Sequence, residues 1–115
     1  MDLQISDKAF LVVGGTNGIG LAAAKALANE GAAVAVVGRD IERGEAAAAE
    51  VRGAGASAVH PLAFDVSAPG QAGEAVAEAV GKLGRLDGLA VTTGLIGHEP
   101  IEISDEEWTA VCVRT

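Results

Sequence analysis

Val12-Val13-Gly14-Gly15-Thr16-Asn17-Gly18-Ile19-Gly20 follows the apolar run Ala9 to Val13 and opens the alanine-rich segment Leu21 to Asn29. The glycines therefore fall where a strand gives way to a helix. Such a corner suits a phosphate. Gly14 permits a tight turn, Gly18 lets backbone approach a pyrophosphate with no side chain between, and Gly20 lets the helix lie close on the sheet. The N–H groups of the helix's first turn then point at the anion, with the positive end of the helix dipole behind them. A glycine cluster is also compatible with a plain strand-to-helix turn, so its neighbours decide between the two.

Outward from this corner the chain alternates. Ala9 to Val13 is continuous and apolar, as a strand buried on both faces must be. Gly18 to Glu30 reads as a helix with Ile19, Ala22, Ala23, Ala26 and Leu27 on one stripe, stopped by Gly31. Ala33 to Val37 is a second strand, after which Asp40 caps a helix whose Ile41, Ala48 and Val51 share a face up to Gly53. Ala58 to Phe64 is a third strand, ending at Asp65. Ser67 and Pro69 read as the N-cap and first turn of a helix carrying Val76, Val80 and Leu83 up to Gly84. Asp87 leads into a fourth run, Gly88 to Val91. Beyond it Gly94 to Ile103 is a loop with Pro100, and Ser104 with Glu107 forms a capping box before Trp108, Val111, Cys112 and Thr115 on one face.

The order β-α-β-α-β-α-β-α predicts an α/β fold: a parallel sheet between two helix layers, joined by right-handed crossovers. The expected strand order is 3-2-1-4. It sets the glycine turn at the carboxyl edge of the first strand, beside the switch point where open α/β sheets bind ligands, and this favours a dinucleotide over a plain turn.

The chain has 115 residues, enough for one domain, 1–115, with a single core. Half its residues are hydrophobic but only three are aromatic, which suits close helix-on-sheet packing. A formal charge of −8 argues against a nucleic-acid or anionic-membrane surface, since both call for a basic patch. The first residues show neither a basic nor an apolar signal region, no run reaches membrane-spanning length, and Cys112 stands alone, so a cytoplasmic protein is expected. His60 and His98 lack ligand spacing for a metal. His98 and Glu99 read as a solvated loop, Cys112 as a core thiol, and Glu74 with Glu78 as a solvated helix face.

The sequence resembles the N-terminal, Rossmann-like part of the short-chain dehydrogenase/reductase family. That family's fingerprint is Thr-Gly-x-x-x-Gly-x-Gly. Val13 to Gly20 matches all three glycines, Gly14, Gly18 and Gly20, and the usual Ile19, with Val13 in place of the threonine. The likeness continues through Gly38-Arg39, Asp65-Val66, Leu86-Asp87 and the Trp108 helix. It implies a nicotinamide dinucleotide as ligand. A carboxylate after the second strand would bind the ribose of NAD and repel a 2′-phosphate, but Gly38 and Arg39 stand there, and a guanidinium holds phosphate in a bidentate fork. NADP(H) is therefore expected over NAD(H), with Thr16 and Asn17 as neighbouring donors. The alternative for Arg39 is a solvated charge paired with Asp40 or Glu42. The resemblance gives Asp65 the adenine amino group and the Val66 N–H a ring nitrogen, the alternative for Asp65 being a strand-end turn residue. Where the family has Asn-Asn-Ala-Gly, this chain has Val91-Thr92-Thr93-Gly94, which keeps Gly94 beside the cofactor ribose, with Thr92 next to it. Val13 and Val91 read as linked losses of two polar groups tied across neighbouring strands. Restoring only an asparagine at 91 is then expected to orphan a buried amide, at ~1–3 kcal/mol.

Catalysis in the family rests on a serine and a Tyr-x-x-x-Lys further along the chain, the tyrosine serving as general acid or base. This sequence has no tyrosine, and Lys8, Lys25 and Lys82 are its only lysines. The expectation is a cofactor-binding part of an NADP(H)-dependent oxidoreductase, shortened relative to the family and without its catalytic half. The alternative is a non-catalytic nucleotide-binding or self-assembling module. An apolar edge strand or the Trp108 face predicts a homo-oligomer.

Overall fold

The computed structural model describes residues 4–16 and 18–92. Seven elements follow in order: β1 (Ala9–Val13), α1 (Gly18–Asn29), β2 (Ala33–Gly38), α2 (Ile41–Gly53), β3 (Ala58–Ala63), α3 (Gln71–Leu83) and β4 (Gly88–Val91). The four strands form one sheet in the order β3-β2-β1-β4, every pair parallel. Asn17, Gly94, the loop around Pro100, the Ser104–Glu107 box and the face of Trp108 and Cys112 lie outside the described residues.

Alternation along the strands divides the core in two. Val12, Val34, Val36 and Val59 pack with Ala24 and Ala28 of α1 and with Ala48 and Val51 of α2. Leu11, Val13, Ala35, Val37 and Leu62 face the opposite way, onto Ala75 and Ala79 of α3. The result is the three-layer αβα arrangement expected of unbroken apolar strands. Pro61 lacks an N–H, and β3 accommodates it because an edge strand needs ladder bonds on one side only.

The helix faces differ from the expected stripes in α1 and α3, whereas α2 buries the expected Ala48 and Val51. In α1 the buried residues are Gly20, Ala24 and Ala28, whereas Ala22 and Ala26 are exposed and Ile19 is 81% exposed. Helix α2 buries Gly44, Ala47, Ala48 and Val51 but leaves Ile41 exposed. Helix α3 buries Ala75 and Ala79 and exposes Val76 and Val80. The sheet supplies most of the bulk, through valine and leucine, so α1 and α3 close on it through glycine and alanine, and α2 adds Val51.

The caps follow the expected positions with one exception. Gly31 and Gly84 take positive φ at 83° and 80° beyond α1 and α3, and the Asp40 carboxylate accepts the Glu42 N–H at 3.0 Å at the start of α2. At α3 the cap is Gly70, with φ 80° and no side-chain bond, rather than Ser67. Ser67 is engaged elsewhere, on Asp65.

Candidate functional site

The glycine corner begins inside the sheet: the Gly14 N–H donates to the Val37 carbonyl at 2.8 Å. Gly14 then turns with φ 87°, in the left-handed region that glycine enters freely. A Cβ at Gly20 would collide with the Gly14 carbonyl and the Thr92 hydroxyl, so helix and turn touch only because position 20 has no side chain. At Gly18 a Cβ would meet no atom within 4 Å. That side of the corner is open.

It opens onto a cleft of about 870 Å³ across the carboxyl ends of the strands. Gly14, Thr16, Gly18, Ile19 and Gly20 line one wall, and Thr92 stands beyond β4. The Thr92 N–H and hydroxyl both donate to the Val13 carbonyl at 2.9 Å. The Thr16 methyl lies 2.7 Å from where a Cβ on Gly38 would sit, so a side chain at the end of β2 would require Thr16 to turn aside. Next to it Arg39 and Arg43 also line the cleft. Neither is in an ion pair among the described residues, where Lys25–Glu50 and Arg85–Asp87 pair instead, and Asp40 is occupied as a cap. Arg39 is thus not tied to Asp40 or Glu42.

The third wall is the turn after β3. Phe64 makes the last ladder bond there, its N–H donating to Gly38 at 2.9 Å. The Asp65 Oδ1 atom accepts the Ser67 hydroxyl at 2.6 Å and the Ser67 N–H at 3.1 Å. These two bonds, and more weakly the charge of Arg39, hold the Asp65 carboxyl below its ordinary range, so it is an acceptor at neutral pH. Its other oxygen has no hydrogen-bond partner among the described residues, and neither has the Val66 N–H.

Nine of the residues singled out from sequence therefore border one cleft: Gly14, Thr16, Gly18, Ile19, Gly20, Arg39, Asp65, Val66 and Thr92. Asn17 and Gly94 lie outside the described residues. Arg43, which the sequence reading does not single out, stands in the first turn of α2, three residues beyond the Asp40 cap that follows Arg39. Val13 and Val91 are register partners on adjacent strands, as the linked-loss reading requires. Val91 is nevertheless 56% exposed, so an asparagine there would be solvated and the expected penalty shrinks.

The sequence profile of the short chain dehydrogenase family matches residues 8–114, and the chain belongs to that family. It is 40% identical over 109 residues to an uncharacterized oxidoreductase of Bacillus subtilis, covering 94% of this chain and 40% of the relative. A cyclopentanol dehydrogenase of Comamonas testosteroni is 36% identical over 109 residues, with 94% of this chain and 43% of the relative covered. Among solved structures, a short-chain type dehydrogenase/reductase from Mycobacterium marinum superposes with a TM-score of 0.81 at 29% identity, over 96% of this chain and 44% of that one. A short chain dehydrogenase from Mycobacterium thermoresistibile gives 0.79 at 29% identity, over 92% and 40%. The chain thus spans about two fifths of the length of the relatives it matches. The family binds a nicotinamide dinucleotide. Among the described residues no helix is long and apolar enough to cross a membrane.

Proposed function

We propose that the cleft is the dinucleotide site of an oxidoreductase that uses NADP(H) in preference to NAD(H). The residues fit the group. Gly18 leaves space for a pyrophosphate before the first turn of α1, and Asn17 and Gly94 join the site from sequence. The Asp65 carboxylate and Val66 N–H offer the acceptor and donor that an adenine edge requires. Bound there, the nicotinamide would supply or take up a hydride.

The observation that carries the preference is at the end of β2. Gly38 presents no carboxylate to a ribose hydroxyl, while Arg39 and Arg43 line the cleft beside it with no ion-pair partner among the described residues. A charge-assisted bond contributes ~1.5–3 kcal/mol, so Arg39→Ala is expected to weaken NADPH by about 10- to 100-fold and leave NADH unchanged. Arg43→Ala should act in the same direction, more weakly. Fluorescence titration of the reduced nicotinamide measures both. Equal affinity of the parent chain for NADPH and NADH would overturn the preference.

For the whole protein we propose hydride exchange with an alcohol or carbonyl compound, which the cyclopentanol dehydrogenase relative supports. This chain would act as its cofactor-binding part, in the cytoplasm and as a homo-oligomer.

A further inference from the structure

We propose that Gln71 is a positioning residue for base recognition, holding the Asp65–Val66 peptide in the orientation that selects adenine. This rests on the reading of the cleft as a dinucleotide site. Beyond Phe64 the β2–β3 ladder ends, and no backbone carbonyl takes up the next N–H. The Gln71 side chain does so: its Oε1 accepts the Asp65 N–H at 2.7 Å, in a half-buried position. Gly70, with φ 80°, reverses the chain immediately before Gln71, so that the first residue of α3 lies back against the strand end.

The Asp65–Val66 unit is then held from two directions. Ser67 fixes one oxygen of the Asp65 carboxylate, and Gln71 fixes the Asp65 N–H. A carboxylate oxygen and the Val66 N–H, two groups one residue apart in the chain, are left free at the cleft among the described residues. Adenine presents an amino donor beside a ring-nitrogen acceptor and matches this pair. Hypoxanthine, with a carbonyl and a ring N–H in those places, opposes both. Gln71 does not itself line the cleft, so its influence on a base passes through the Asp65 peptide.

The test compares NADPH with its deamino, hypoxanthine-containing analogue, both followed by nicotinamide fluorescence on the 115-residue chain. The parent is expected to prefer NADPH by tenfold or more, a preference of the size that one or two hydrogen bonds generate. In Gln71→Met, similar in length but lacking the accepting oxygen, the preference should fall by about fivefold. The affinity for the deamino analogue and the unfolding midpoint of the free protein should move little. Gln71→Ala should show the same loss of selectivity, and Gln71→Glu, which keeps an acceptor, should restore it. Undiminished selectivity in the Met and Ala variants overturns the proposal. Equal weakening of both ligands in step with lost stability also overturns it, since that describes a purely structural glutamine. A parent that binds both ligands equally refutes the adenine reading itself, and the proposal with it. Failure of the NADP(H) preference alone, seen against NADH, leaves the base selectivity standing.

Discussion

The carboxyl-end cleft and the outer strand β4 are both open surfaces, but they are open in opposite ways. At the cleft the unsatisfied groups are polar: the Val66 N–H, one Asp65 oxygen, and the guanidinium groups of Arg39 and Arg43. At β4 they are apolar, with Leu89 and Val91 each 56% exposed on the same face as Leu11 and Val13. A small polyanion can satisfy the first surface and does nothing for the second, which needs area covered rather than hydrogen bonds made. The opposite edge of the sheet shows the contrast: β3 carries Pro61 and so resists pairing, while β4 has no such device. Among the described residues the two surfaces therefore differ in the kind of group that would cover them.

The comparison breaks most readily at its glycines. In Gly20→Ala the new Cβ would meet a backbone carbonyl and a hydroxyl already bonded to Val13, neither of which can swing aside. A loss of about 3 kcal/mol is expected, together with loss of dinucleotide binding. Gly81, inside α3 with nothing within 4 Å of its Cβ position, should respond with the opposite sign. Gly81→Ala is expected to stabilise by ~0.5–1 kcal/mol and leave binding unchanged. Urea denaturation with and without NADPH reads both. Equal responses at the two positions would mean that the corner is less tightly packed than the structure has it.

The contrast also explains what could be read in advance. Strands β1 and β2 were legible because a strand buried between two helix layers leaves an uninterrupted apolar run, whereas the edge strands β3 and β4 were legible from their place in the alternation with helices, which also fixed the 3-2-1-4 order. The helix faces were legible only in part, at Ala48 and Val51 of α2 and, partly buried, at Leu27 and Leu83. In alanine-rich helices almost every face is apolar, so the eye goes to Ile19, Val76 and Val80, whereas the sheet selects Gly20, Ala75 and Ala79 for their size. The glycine spacing placed most of the cleft. Gln71 could not be placed, since its importance lies in a bond across a turn that only the backbone path of Gly70 brings about.

At β4 the sharper test is association. Self-association of the 115-residue chain through this edge is expected, and Leu89→Lys, which adds a charge on an exposed edge, should move it toward monomer without changing NADPH affinity. Sedimentation velocity measures the first and fluorescence titration the second. A parent chain that sediments as a clean monomer would remove the reason for assigning β4 a partner.

The smallest expected effect lies at the start of the same strand, where polar groups hold an apolar edge in place. The Asp87 N–H donates to the Ala9 carbonyl at 2.7 Å, and its carboxylate accepts the Ala9 N–H at 2.8 Å and pairs with Arg85 at 2.6 Å. The Arg85 hydrogen bond, followed by that of the Ala9 N–H, holds the Asp87 carboxyl below its ordinary value. The folded state therefore binds this proton less readily than the unfolded chain does. Its stabilisation is full above the ordinary carboxylate value of about 4 and fades as pH falls through the lowered folded value. Asp87→Asn should lower the thermal midpoint at pH 7, and the gap from the parent should narrow on acidification. Asp65, lowered in the same direction by Ser67, provides the counterpart at the cleft. With Asp87 removed, the acid sensitivity of the free chain that a further Asp65→Asn abolishes belongs to the cleft, whereas a gap between Asp87→Asn and the parent that stays constant with pH would show that Asp87 holds β4 by shape and not by charge.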